Sequence, residues 1–152
     1  MPSDRPEYLS RPVTPAMLAS SLNHLADCYF EGRDLEAHPS AAVSLWREVV
    51  SMPAGELRQV PALAWAHYSL GWCLLHGVGV QKNATEAVYH LSCAARTHAE
   101  ASYTLGTCHE EGIGVDVPDD REAIKFYRRA ARLGYTPAED KVDELVARLK
   151  DK

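Results

Sequence analysis

The chain has 152 residues, 46% of them apolar and 24% charged, and its 16 basic and 21 acidic side chains leave a net charge of −5. That composition fits one soluble globular domain with a sizeable core, and the negative balance works against general attraction to nucleic acid or anionic membrane. No apolar run approaches the roughly 20 residues of a spanning helix, and the N-terminus lacks the apolar core of a signal peptide. A soluble intracellular protein is therefore expected.

Residues 1–15, MPSDRPEYLSRPVTP, contain Pro2, Pro6, Pro12 and Pro15 and read as a flexible arm. Thr14 and Pro15 supply a helix start, and residues 16–152 form the expected domain. Within it LGWCLLHGVGV (70–80) aligns with LGTCHEEGIGV (105–115) at an offset of 35, matching Leu70 to Leu105, Gly71 to Gly106, Cys73 to Cys108, Gly77 to Gly112 and Gly79 to Gly114. Past one inserted residue near Pro118 the offset is 36, pairing Ala87 with Ala123 and Ala94 with Ala130. A worn copy lies upstream at offset 45, pairing Leu25 with Leu70, Cys28 with Cys73, Gly32 with Gly77 and Ala42 with Ala87, but its second glycine is missing. A period of this size signals stacked supersecondary units.

Inside each unit the apolar residues recur at helical spacing, as in Ala66, Leu70, Cys73 and Leu74 and then Ala87, Val88, Leu91, Ala94 and Ala95. Each unit is thus expected to be a helix pair, with Gly32, Gly77 or Gly112 ending its first helix in the left-handed conformation. Gly71 and Val88 lie equally far from the turn centre near Gly79, so the small residues Gly71 and Ala87 should mark the helix crossing. The copies run about 19–51, 64–98 and 99–135. Ten extra residues, 52–61, separate the first two and are expected to form a loop. Residues 137–150 carry Ala138, Val142, Leu145, Val146 and Leu149 on one face and read as a helix capping the stack.

The units resemble the Sel1-like repeat family, relatives of the tetratricopeptide repeat. The matching residues are YTLG, GIGV, EAIKFYRRAA and Gly134 in the third copy and their counterparts in the second. Leu74 and His109 stand where the family usually has tyrosine. The resemblance implies an all-α fold: an α/α superhelix of three helix-pair repeats closed by the C-terminal helix, of a kind that serves as a protein-interaction scaffold. It also implies that the first helix of each pair lines a concave side.

Chemical sites find little support. The paired glycines lack the strand and third glycine of a dinucleotide loop and the Gly-Lys-Ser/Thr of a P-loop. Cys73, His76, His90 and Cys93 have zinc-like spacing, but in a helical hairpin the two pairs sit about 10 Å apart in height, too far for one ion. Cys28, Cys73 and Cys108 share one repeat slot at a helix separation of about 8–10 Å, beyond disulfide reach, so a reducing compartment is expected, the cytoplasm first with mitochondria left open. No catalytic constellation accompanies the seven histidines, and the neighbours Glu110 and Glu111 point to different sides of their helix. No catalytic residue, metal ligand or cofactor is assigned. Lys125, Arg128, Arg129 and Arg132 form a basic stripe that reads as a solvated face.

The remaining signal is a second apolar face on the helix 62–76, formed by Trp65, Tyr68, Trp72 and Leu75. Its equivalents are Ser20, Asn23, Asp27 and Phe30 in the first copy and Glu100, Tyr103, Thr107 and Glu110 in the third. A helix apolar all round is either enclosed or presents a sticky face. The tryptophans could pack beneath the 52–61 segment or the N-terminal arm. Alternatively, these residues line a groove with an aromatic centre and acidic flanks that grips a helix or extended segment of a protein partner with some basic character. The expected function is a non-enzymatic adaptor or assembly subunit. A small enzyme or metal-dependent module on the same fold, and an RNA-contacting subunit using the basic stripe, are the alternatives.

Overall fold

The computed structural model describes residues 12–57 and 60–151, and among these the chain is helical with no strand. The helices are α1 (Pro15–Glu31), α2 (Pro39–Ser51), α3 (Ala54–Leu57), α4 (Pro61–His76), α5 (Ala84–Ala94), α6 (Ala99–Glu111), α7 (Asp120–Arg132) and α8 (Pro137–Lys150). The expected arm falls mostly outside the described residues. Its last residue, Pro15, already belongs to α1, whose first turn is capped by Thr14 Oγ1 accepting from the Met17 N–H at 3.2 Å. No described helix is long and apolar enough to cross a membrane.

Local chemistry repeats with the sequence. The first helices of the pairs, α1, α4 and α6, end at Gly32, Gly77 and Gly112 with φ of 70°, 69° and 71°. In each turn the next amide, of Arg33, Val78 or Ile113, donates back to the carbonyl of Cys28, Cys73 or Cys108, so helix ends that would otherwise face water are satisfied internally. The second helices start on side-chain caps: His38 Nδ1, Asn83 Oδ1 and Asp119 Oδ1 accept from amides in the following turn. The amides of these same three residues donate to the carbonyls of Tyr29, Leu74 and His109, tying each hairpin at one equivalent point.

The pairs α1/α2, α4/α5 and α6/α7 stack through α2 on α4, α5 on α6 and α7 on α8. Small residues let the paired helices close. A Cβ on Gly71 would lie 2.9 Å from Leu91 Cγ and 3.3 Å from the Ala87 carbonyl oxygen, and one on Gly106 would lie 2.8 Å from Tyr127 Cε1. The core expected from periodicity is buried at Ala66, Leu70, Cys73, Leu74, Ala87, Leu91, Ala94 and Ala95. α8 closes the far end with Ala138 and Leu145 fully buried.

The second glycine of each pair has a different task from the first. Gly79 and Gly114 also have positive φ, and a Cβ there would sit 2.5 Å from the Pro39 carbonyl and 2.3 Å from the Ala84 carbonyl oxygen. Each glycine therefore seats its turn against the backbone that starts the second helix of the preceding repeat. The first copy has Asp34 at this position, with φ 57°, so the turn keeps its shape without glycine. No repeat precedes it among the described residues.

The 52–61 segment departs from the expected loop. It contains the single helical turn α3, which packs on α1, and Leu57 at its end is fully buried in the first core cluster. One leucine with no room in solvent thus pins the segment to the fold.

Candidate partner-binding groove

α1 and α4 run side by side and leave a pocket of about 200 Å³ between them. Asp27, Phe30 and Glu31 from α1 and Trp65, Tyr68 and Trp72 from α4 line it, and Trp46 reaches in from α2. Phe30 holds the cluster together, with its ring centroid 5.6 Å from Trp46 and 5.9 Å from Trp72, the latter edge to face. Trp65 remains 37% exposed and donates from Nε1 to Asp27 Oδ1 at 3.1 Å. The indole is therefore oriented by a hydrogen bond while part of it stays exposed. Among the described residues, the pocket lining comes from α1, α2 and α4.

Tyr68 continues the strip by stacking on His98 at 4.4 Å, and His98 in turn caps α6. Burial, with Glu100 and Tyr135 nearby, pushes the Tyr68 hydroxyl up to about 12, so it stays a neutral donor and acceptor at physiological pH. A shallow continuation past Trp65 is lined by Ser20, Asn23 and His24, and Asn23 Nδ2 donates to the Ala62 carbonyl at 2.7 Å, locking α1 to α4.

The other expected groove residues are placed differently. Leu75 is partly buried where the first and second core clusters meet and packs inward. Tyr103 sits between Tyr127 and Tyr135, at centroid distances of 5.1 and 4.8 Å, and Thr107 shares a 3.1 Å hydrogen bond with the Tyr127 hydroxyl. Glu110 is not a free acidic flank. Its carboxylate accepts from the Tyr127 hydroxyl at 2.7 Å and pairs with Lys141 at 3.3 Å and Arg148 at 3.2 Å, so it ties α6 and α7 to the capping helix. Burial alone would raise its pKa, but Tyr127, Lys141 and Arg148 overcome that and hold it below the usual carboxylate range. Only Glu100 of this third-repeat set is exposed.

Two features escaped the sequence reading. Trp46 occupies the same repeat slot as Leu91 and Tyr127, where the pattern calls for a bulky residue over the small position of the first helix. In the first copy that residue is large enough to reach the groove. The second feature is a pair of histidines, His67 and His90, whose Nδ1 atoms lie 2.9 Å apart, so one ring must donate and the other accept. Glu86 lies 3.8 Å from His90 Nε2 and is itself paired with Arg47 at 3.2 Å.

Burial and the neighbouring His90 push His67 down to about 4, and burial lowers His90 too, against the opposing pull of Glu86. Unfolded histidine titrates near 6.5, so between that value and about 4 the unfolded chain binds more protons than the folded one. Stability is therefore full above this window and falls as pH drops through it. The melting temperature should be lower at pH 5.0 than at pH 7.5, and a His67→Gln/His90→Gln double variant should show a flatter profile across the same interval. Parallel profiles for the two proteins would exclude the pair as the cause.

Among the described residues no three histidine, cysteine, aspartate or glutamate side chains converge on a metal-sized point. Cys73 is buried in the core, with its thiol pushed up to about 11 by burial, whereas Cys93 is exposed on α5. The basic stripe of α7 partly faces Glu139 and Asp143 of α8, and Arg129 lies 5.7 Å over the Phe126 ring.

Comparison with known proteins agrees with this architecture. The Sel1 repeat model matches residues 19–48, 66–96 and 99–135. A Sel1 repeat protein from Oxalobacter formigenes superposes with a TM-score of 0.72 at 28% identity, over 89% of this chain and 50% of that one. The protective antigen c5321, present in uropathogenic Escherichia coli strains and displaying an SLR fold, gives a TM-score of 0.72 at 20% identity over 84% of this chain and 25% of its own. The chain thus spans half the length of the first structure and a quarter of the second. No curated protein matches it. Three tandem matches covering most of the described helices place the chain in the Sel1 repeat family, whose repeats typically mediate protein interaction.

Proposed function

We propose that the chain is a non-enzymatic adaptor that holds a helix or an extended segment of a partner protein along α1 and α4, on the concave side of the repeat stack. Phe30, Trp65, Tyr68 and Trp72 would be the anchors, with Asp27 beside them and Glu100 further along. The observation that carries this reading is the open aromatic pocket itself: three tryptophans, a phenylalanine and a tyrosine surround space instead of filling it. Large aromatics at the centre of a polar-rimmed depression dominate binding energy at protein interfaces. Four free cysteines, two of them buried with their thiols kept neutral, suit a reducing compartment such as the cytoplasm.

A photo-cross-linking residue in place of Tyr68 tests the face directly, with the same residue in place of Tyr89, 63% exposed on α5, as the comparison. In cells, position 68 should yield a discrete protein adduct and position 89 none. Adducts at 89 alone would move the interface off the groove.

A further inference from the structure

The pocket between α1 and α4 is aromatic and acidic at once. Its lining includes Asp27 and Glu31, one turn apart on α1, and no lysine, arginine or histidine. Glu31 is paired with Arg33 at 2.6 Å. Asp27 is half-buried and, among the described residues, makes no ion pair within 4.0 Å; its one hydrogen bond comes from the Trp65 indole, onto Oδ1. Among the described residues the other carboxylate oxygen has no donor. Burial raises the Asp27 pKa, and Glu31 adds to the effect against the opposing pull of the Trp65 hydrogen bond, Arg33 and His24. A negative charge kept partly out of water without a close ion-pair partner favours an incoming cation.

The rings point to the same kind of guest. The faces of indole and phenyl rings carry negative potential, and a cation over them is attracted the more strongly as water is excluded. At about 30 Å³ for each water-sized group, a space of about 200 Å³ holds six or seven such groups. An arginine side chain has seven heavy atoms beyond its Cα. Its planar guanidinium can stack on a ring and donate from its edge to a carboxylate at the same time, and it sheds water more readily than an ammonium.

We propose that this pocket receives one arginine side chain of the bound segment, its guanidinium stacked against the tryptophan and phenylalanine rings and donating to Asp27. The assignment rests on the adaptor reading and adds what the groove selects for. A partner segment without arginine at the anchoring position would lose most of its affinity even if its apolar residues matched.

The test uses the intact chain with N-acetyl-arginine amide as probe, followed through the indole N–H signals of the three tryptophans. N-acetyl-citrulline amide, nearly identical in shape but neutral, and N-acetyl-lysine amide serve as comparisons. The arginine probe should shift the Trp65 signal saturably, with citrulline and lysine at least tenfold weaker. Asp27→Asn keeps an oxygen to accept from Trp65 while removing the charge, and it should abolish the preference for arginine over citrulline. Equal binding of citrulline, lysine matching arginine, no shift with arginine at tens of millimolar, or a preference that survives Asp27→Asn would each overturn the assignment. The adaptor reading has its own readout. Partner capture that needs the tryptophans but is unaffected by Asp27→Asn would leave the groove standing and remove the arginine pocket. Asp27-dependent arginine binding without any protein capture would retain the pocket and remove the adaptor.

Discussion

Replacing Gly114 by alanine should destabilise the fold by about 3 kcal/mol or more, at the severe end for a single substitution. Two costs add there. The left-handed backbone, φ 69°, costs an L-residue about 1–2 kcal/mol. The new Cβ would also stand 2.3 Å from the Ala84 carbonyl oxygen and 2.6 Å from its carbon, which are backbone atoms of the preceding repeat and cannot rotate away. Relief requires the second and third repeats to separate, and in a stack held by nearest-neighbour interfaces that loss should appear as a broadened, two-step unfolding transition in urea. Asp34→Ala is the control. It keeps a comparable backbone conformation, φ 57°, where no described repeat precedes it, and should change stability by no more than about 1 kcal/mol. If the two variants behave alike, the glycine would be serving its own turn only and not the join between repeats.

This contrast shows where the sequence was informative. The 35-residue offset marked both glycines of each turn but not their separate tasks, because spacing along one chain says nothing about which neighbouring backbone comes close. Helix pairs, the left-handed glycine ends of the first helices and the Gly71 crossing were legible because each depends on residues within one hairpin. α3 was not. Its anchor, Leu57, lies in a short stretch interrupted by Pro53, Gly55 and Pro61, with no helical period to reveal it.

The groove divides along the same line. Trp65, Tyr68 and Trp72 stood out as a second apolar stripe on one helix, and the structure places all three on one strip. Glu110 looked like an open acid because its partners, Lys141 and Arg148, are 31 and 38 residues away on a helix outside the repeat pattern. That helix was read from its apolar face, while its basic residues did the work of holding Glu110. Trp46 was hidden for the opposite reason: it obeys the repeat as a bulky core residue, and only its size takes it to the pocket.

The second large effect concerns binding. Trp65 and Trp72 line the groove and meet Asp27 and Phe30 of α1 there, whereas Leu70, Leu91 and Leu105 are fully buried in the core. Trp65 is 37% exposed and Trp72 half-buried, so truncating both should cost less stability than truncating fully buried residues. At an interface, loss of two central aromatic anchors typically removes 2 kcal/mol or more each, roughly thirtyfold in affinity apiece. The decisive measurement is therefore partner capture by the Trp65→Ala/Trp72→Ala variant beside its far-ultraviolet circular dichroism. A native helical spectrum with capture lost is the predicted result. Capture at full strength, or collapse of the helical signal, would contradict a groove whose tryptophans face a partner and not the fold.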